Sequence, residues 1–408
     1  MRILYLHQYF ATPKSNAGTR SFEIAKRLVG NGHQVIFVTS SAYLSKDYDL
    51  VGGWNFIEIS GIKLYVLKSN YSNKDAFVLR MMKFLSFSIR AIFKSLTIKS
   101  DVVLATSTPL TIAIPGLIYS KLKSVPLVFE VRDLWPELPI ATGVIKNKLL
   151  ILFASWLERY TYKNSKRLIG LSPGMCEGIR KHGIDSSLIT LATNSCDTDL
   201  FDVNKSVGIS YLNDKLSFVG DRKLVVYTGT FGLINDVSYI VELAKVAKDI
   251  DPSLCFLAIG EGMQKESVTE KAINNGVLNN NLYILPAVPK SEIVQLLSAA
   301  SLSLSLFGPV KEMWKNSANK LFDSLASQTP VAINYSGWQK DFILEHECGL
   351  VLDSNNFEMS VNQISTFLND NARYEKALLS CKDLSYNQFS RDLMANRVEM
   401  ALKGAVYD

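Results

Sequence analysis

Cysteine and histidine are both scarce in this chain. Cys176, Cys196, Cys255, Cys348 and Cys381 and four histidines are scattered over 408 residues. No C-x-x-C occurs and no cysteine clusters with the histidines, which argues against structural zinc; the odd, widely spaced set fits a reducing compartment. The G-x-G-x-x-G fingerprint of dinucleotide-binding turns is missing from the first loop. No arginine-rich arm or recognised nucleic-acid-binding motif is present, so nucleic acid is not the expected partner. A clean spanning segment is lacking too. The longest uncharged run, residues 102–120, carries Thr106, Ser107, Thr108, Pro109, Thr111 and Pro115 and reads as a buried strand, a loop and a buried helix. The opening residues 1–6 run straight into a strand-like segment too short for a signal sequence.

What the chain does have is apolar bulk and uneven charge. Apolar residues make up 48%, enough for sizeable cores, and the length is generous for one α/β domain and comfortable for two. The net charge of +6 hides an asymmetry: residues 1–200 carry 25 Lys and Arg against 14 Asp and Glu, leaving 19 against 24 in the remainder. A basic half joined to an acidic half implies that the first faces something anionic, a phosphate-bearing substrate or a membrane surface.

Residues 3–6 read as a first strand, followed by a polar loop, a helix over 17–29 with Phe22, Ala25 and Leu28 on one side, and a strand over 35–39. Strands at 102–105, 127–131, 168–171 and 189–192 continue the alternation, the pattern of a doubly wound parallel sheet. Residues 204–221 read as a polar linker. The alternation then restarts with strands at 224–227, 255–259, 282–285 and 302–306. In such sheets the ligand lies beyond the carboxyl ends of the strands, which directs attention to residues 7–20, 106–108, 132–137 and Ser172, and to the glycine turns at 228–232 and 260–262.

The richest stretch is residues 316–331, N-S-A-N-K-L-F-D-S-L-A-S-Q-T-P-V. Cap-type residues Ser317 and Asn319 precede an apolar helical pattern through Leu321, Phe322, Leu325 and Ala326. A helix N-terminus with free N–H groups and Lys320 beside it is a ready anion site. Asp323 shares a face with Lys320, so one short helix offers a cation to a phosphate and a carboxylate to a ribose; an ordinary capped helix with both charges solvated accounts for the same residues. In the loop 12–20, Gly18 permits close backbone approach by a phosphate or sugar with Arg20 nearby, or is a helix-cap glycine. Residues 132–137, R-D-L-W-P-E, set two carboxylates, a guanidinium and an indole just after a strand, a surface that suits a sugar ring or holds a turn by an Arg–carboxylate pair. Ala287, Val288 and Pro289 can pack against a base.

Two helical patterns, residues 75–99 and 146–167, interleave apolar and basic residues. They read either as basic amphipathic helices lying on an anionic membrane interface or as core helices with solvated outer faces. Asp197-Thr198-Asp199 can hold a divalent ion, but its place where the chain leaves the first half reads as hinge structure.

Taken together, the N-terminal H-Q-Y-F-A-T-P-K-S-N-A-G-T-R, the E-V-R-D-L-W-P-E run, the N-S-C-D-T-D-L-F hinge, the I-G-E-G turn and the S-A-N-K-L-F-D-S-L-A helix resemble the retaining glycosyltransferases of family 4. Within that family they look like the branch, including the WbuB and colanic-acid type enzymes, that builds bacterial O-antigen and capsule repeat units. The resemblance implies a GT-B fold of two Rossmann-like doubly wound domains facing across a cleft: residues 1–200 binding the acceptor, 201–386 binding the nucleotide sugar, and 387–408 crossing back as a helix onto the first domain. Expected catalytic residues are Arg132, Asp133 and Lys320. Expected donor-binding residues are Gly18, Arg20, Gly229, Thr230, Glu261, Gly262, Val288, Ser317, Asn319, Lys320, Leu321 and Asp323, with no metal and no other cofactor.

The implied partners are a nucleotide-diphosphate sugar, with a lean to UDP and an N-acetylamino sugar such as N-acetylfucosamine, a polyprenyl-diphosphate-linked saccharide, and the anionic inner face of the cytoplasmic membrane, to which the protein attaches peripherally. The sequence departs from the broad family at three places. Arg132 stands where many members have histidine, Lys315 occupies the first carboxylate position of an E-x7-E motif whose second is Asp323, and Thr230 and Asn235 replace a phosphate-binding Arg and Lys. These departures keep a sugar-nucleotide epimerase, a non-catalytic binding subunit and a metal-dependent transferase using Asp197 and Asp199 in view.

Overall fold

A computed structural model describes residues 1–15, 17–44, 48–70 and 75–408. Asn16 of the N-terminal motif and the side chain of Phe77 lie outside the described residues. The chain divides into two compact units, Met1–Thr193 with Arg391–Asp408, and Asn194–Ser390.

The first unit is built on eight strands: β1 (Arg2–Leu6), β2 (Gln34–Ser40), β3 (Trp54–Ile59), β4 (Ile62–Leu67), β5 (Val102–Thr106), β6 (Leu127–Val131), β7 (Arg167–Gly170) and β8 (Ile189–Leu191), in the order β3-β4-β2-β1-β5-β6-β7-β8. All neighbours are parallel except β3 with β4. Strand periodicity sorts its apolar residues onto two faces. Leu4 and Leu6 join Phe87, Leu117 and Leu157 on one, whereas Ile3 and Tyr5 join Phe22, Ala25 and Leu28 on the other. Onto that second face packs the final helix, Arg391–Tyr407, which contributes Met394, Val398, Ala401, Leu402 and Ala405 to the same core.

The hairpin β3–β4 escaped the sequence reading although its signal was present. Two alternating runs flank Ser60-Gly61, both in the left-handed region at φ 51° and 76°, which is the two-residue turn that matches strand twist.

The second unit has six parallel strands, β9 (Lys223–Thr228), β10 (Leu254–Ile259), β11 (Leu282–Leu285), β12 (Leu302–Ser305), β13 (Val331–Ile333) and β14 (Gly349–Val351), ordered β11-β10-β9-β12-β13-β14. Residues expected to be a linker are instead a helix, Lys205–Lys215, started by the Asn204 side chain. Gly208 lets it press on the helix Lys290–Ala299, where an added Cβ would stand 2.4 Å from Ser298 Oγ; the polar composition that suggested a linker is the solvent side of a packed element. Both units are Rossmann-like, with helices covering a parallel sheet, and the pair is the architecture of a GT-B fold.

Candidate functional site

At the carboxyl end of the first sheet, β6 carries one acidic residue, Glu130, which is 0% exposed. A carboxylate inside an apolar strand requires partners. Arg20 supplies Nε at 3.1 Å and Nη2 at 2.8 Å to one oxygen, and Thr106 Oγ1 donates to the other. Burial pushes the Glu130 carboxyl up, but the charges of Arg20 and Arg132 and these hydrogen bonds outweigh it and hold the group below its ordinary value. Arg20 also donates from Nη2 to Ala192 O at 2.8 Å and from Nη1 to Thr193 O. All three of its nitrogens are spent inside the domain, which takes the guanidinium out of the ligand-contacting role expected for it. The signal for this tie was a lone glutamate in the apolar run 127–131.

Arg132, two residues on, leaves the strand half-buried. Its backbone N–H donates to Ser107 Oγ at 2.8 Å, and its guanidinium Nη1 lies 3.4 Å from His7 Nε2 at the end of β1. The other ring nitrogen of His7 is 2.9 Å from Ser21 Oγ on the first helix, Arg20–Gly30. Burial, then the neighbouring Arg132 charge, hold the His7 imidazole well below its ordinary range. Asp133 accepts from Thr108 Oγ1 at 2.7 Å. Trp135 is half-buried against the core, Glu137 is exposed at the start of the short helix Glu137–Ala141, and Gly18 is exposed in the loop before the first helix. The arrangement brings Arg132 and Asp133 together with His7, Ser107 and Thr108, and leaves Gly18 outside this hydrogen-bonded set.

The second site is made of turns rather than side-chain networks. After β9 and β10 two glycine turns interlock: Gly229 N–H donates to Ile259 O at 2.9 Å and Phe231 N–H to Glu261 O at 2.9 Å. Gly229 has φ +149°, and a Cβ there would stand 2.6 Å from Lys320 Cε and 2.9 Å from its Nζ; at Gly262, φ +154°, a Cβ would stand 2.4 Å from Phe231 O. Glycine is therefore required at both positions by close approach as well as by backbone. The ammonium of Lys320 lies 5.2 Å from the centre of the Tyr227 ring, whose hydroxyl donates to Thr230 O at 2.8 Å. Among the described residues Lys320 has no hydrogen-bond or salt-bridge partner. Burial pushes its pKa down to about 8, with the Asp323 charge opposing.

Lys320 belongs to the helix Asn319–Ala326, whose N-cap is Ala318 with no side-chain cap. The cap-type residues do not cap: Ser317 accepts from the Asn194 backbone N–H at 3.1 Å through its hydroxyl and from Asn194 Nδ2 at 2.6 Å through its carbonyl. Asn319 is exposed, and Leu321 is fully buried, so only its backbone can meet a ligand. Asp323 pairs with Lys290 Nζ at 3.3 Å; Lys290, which the sequence reading left out, also lies 5.1 Å from the Phe201 ring centre. Thr230 and Glu261 are exposed, the latter paired with Lys265 at 2.8 Å, and Val288 is half-buried in the loop after β11. Asp197 is buried while Asp199 is exposed.

Residues 17–194 match the glycosyl transferase 4-like domain, and residues 212–385 match the glycosyl transferases group 1 domain. The chain is a GT-B, family 4-like glycosyltransferase. No curated protein sequence matches it, but solved structures share its fold over nearly the full length. HepE of Anabaena, solved with UDP and glucose, is 15% identical, with 99% of each chain covered and a TM-score of 0.71. Sucrose-phosphate synthase from Thermosynechococcus elongatus is 15% identical with 98% of each chain covered and a TM-score of 0.72. WaaG, a glycosyltransferase involved in lipopolysaccharide biosynthesis, is 14% identical with 98% of each chain covered and a TM-score of 0.68.

The two amphipathic patterns of this glycosyltransferase are the helices Phe77–Leu96 and Lys148–Lys163. Each buries one side in the first domain, through Phe84, Phe87 and Ala91 and through Ala154 and Leu157, and leaves an apolar stripe outside. Val78, Met82, Leu85, Ile89 and Phe93 form the first stripe, with Phe93 69% exposed; Leu149, Leu152, Phe153 and Trp156 form the second, with Leu149 77% exposed. No helix among the described residues is long and apolar enough to cross a membrane.

Proposed function

We propose that this glycosyltransferase moves a sugar, with retention of configuration and without a metal, from a UDP-sugar to a polyprenyl-diphosphate-linked saccharide, as in the O-antigen and capsule branch that its motifs resemble. The observation that carries this reading is the Lys320 ammonium, held beside Gly229 over the Tyr227 ring with no counter-ion, at the start of a helix with no side-chain cap. A cation desolvated without a partner gains most from a ligand that brings negative charge, and the charge that grows during transfer is on the leaving diphosphate. Lys320 and the backbone N–H groups of residues 319–321 and 229–230 bind it. Asp323 holds the ribose, Val288 packs on the base, and Glu261 and Gly262 line the turn beside the donor. Arg132, Asp133 and Glu137 orient donor sugar or acceptor. A UDP donor is supported by HepE, which has been solved with UDP and with UDP-glucose. An N-acetylamino sugar such as N-acetylfucosamine is the first donor to try.

A donor screen tests the reading: purified protein, UDP-, GDP- and dTDP-sugars, detergent-solubilised polyprenyl-diphosphate saccharides, and nucleotide release followed with and without EDTA. Acceptor-dependent UDP release that survives EDTA is the expected result. Release without acceptor points to an epimerase or hydrolase, and loss with EDTA to a metal site.

The lipid acceptor requires a way to the bilayer, and the exposed stripes of the two helices, with Arg90, Lys99, Lys146, Lys148 and Arg159 exposed near them, suit peripheral attachment to an anionic surface. Co-sedimentation with vesicles containing anionic lipid is expected, and replacing Leu149, Leu152 and Trp156 by serine is expected to abolish it if the second helix carries the contact.

A further inference from the structure

The hydrogen-bond chemistry around His7 fixes more than its place. A guanidinium has only donors, so the contact from Arg132 Nη1 at 3.4 Å requires a lone pair on His7 Nε2. The ring proton is then on Nδ1, where it donates to Ser21 Oγ at 2.9 Å. His7 is buried at the end of β1, on a sheet that holds it from both sides. Arg132 is half-buried, carries a long rotamer-rich side chain, and among the described residues has no other side-chain hydrogen-bond partner, so most of its N–H groups remain for a ligand. Without a fixed neighbour such a chain samples many directions.

We infer that His7 is the positioning residue of Arg132: a neutral imidazole in the Nδ1–H form that aims the guanidinium while leaving its positive charge intact. A carboxylate in the same place would also aim the guanidinium but would pair with its charge and weaken it toward a ligand. The nearest carboxylate, Glu130, is instead bound by Arg20 and Thr106. Burial and the Arg132 charge both hold His7 unprotonated over the working pH range. The inference rests on the reading of Arg132 as a group that touches substrate, so its test separates the two.

The protein labelled with 15N-histidine has four imidazoles, and His7→Gln identifies the signal of His7. The expected long-range 1H–15N spectrum shows His7 with Nδ1 protonated and Nε2 bare, unchanged between about pH 5.5 and 8.5, and shifted by Arg132→Met while His33, His182 and His346 are not. A protonated Nε2 in the wild type, or a His7 signal indifferent to Arg132→Met, overturns the inference.

Turnover with the UDP-sugar and lipid acceptor found in the screen gives the second readout. His7→Leu is expected to lower kcat roughly 10- to 100-fold, the scale of a misplaced contact group, with KM for donor little changed. His7→Gln, which keeps an acceptor, is expected to recover much of that loss, and His7→Leu should add nothing to Arg132→Met. Full activity in a folded His7→Leu, when Arg132→Met is inactive, overturns the positioning role. Full activity in Arg132→Met overturns the reading of Arg132 itself, and the spectrum then still decides how His7 is protonated. If His7→Leu fails to fold, His7→Gln and the spectrum carry the test.

Discussion

At the carboxyl ends of the first sheet, cations and anions answer one another: Arg20 with Glu130, Asp133 with Thr108, and Arg132 with an imidazole that orients it. At the carboxyl ends of the second, the turns are glycine, the helix end has no side-chain cap, and the lysine lying against Gly229 has no counter-ion. One region is completed by its own side chains and so is rigid and specific before any ligand arrives; the other is completed only by an anion. The contrast teaches where to look for stability and where for affinity: polar groups that satisfy each other stabilise the fold, and polar groups left unsatisfied are stability forgone for binding.

The strongest way to break the comparison is Arg20→Leu. If the first region is structural, stranding Glu130 in β6 should cost about 3–5 kcal/mol, the usual loss when one partner of a buried ion pair is removed, read as a drop in denaturant midpoint. A loss under about 1 kcal/mol would mean that the network is wet and adjustable.

Lys320→Met tests the other side. Turnover should fall roughly 10²- to 10³-fold, as when a preorganised oxyanion donor is removed, while stability rises. The sign follows from the lowered pKa: the unfolded chain keeps this proton up to about pH 10.5 and the folded chain only to about pH 8, so the cost of burying the charged form is full below pH 8 and fades as the pH climbs toward 10.5. Lys320→Met should therefore gain about 1–3 kcal/mol near pH 7, at about 1.4 kcal/mol per pKa unit, and the gain should shrink in alkali. A variant that loses both activity and stability would place Lys320 in the structural class after all.

The same proton sharpens the contrast in binding. UDP affinity measured by calorimetry should weaken as pH rises above about 8, by up to about tenfold per unit, with proton uptake on binding in that range. A flat profile would take Lys320 away from the diphosphate. The smallest effect expected is that of Gly229→Ala, whose methyl would displace the Lys320 side chain; UDP binding should drop roughly fivefold, about 1 kcal/mol, with little change in the first domain.

Much of this was legible in the sequence. The period-two and helical patterns gave both doubly wound sheets, because parallel strands buried on two faces are uninterrupted apolar runs. Lys320 and the glycine turns could be found because a cation at a helix start and glycines at strand ends are local signals. The network around Glu130 was not legible, since Arg20 lies 110 residues from its partner and nothing near either residue announces the other. Ser317 misled for a related reason: its hydroxyl prefers the distant Asn194 to its own helix. Lys205–Lys215 read as a linker because its polar face dominates its composition, and only Gly208 hints at a packed neighbour.

The final helix has a consequence for the order in which the protein is made. Met394, Val398, Ala401, Leu402 and Ala405 belong to the same core as Ile3 and Tyr5, so the earliest residues to leave the ribosome wait for some of the latest before their own domain can close. The second domain, residues 194–390, is contiguous and can finish first, which reverses the usual N-to-C order of folding during synthesis. Until residue 391 and those after it emerge, one face of the first sheet has no cover, and a nascent chain stalled there is a natural client for a chaperone.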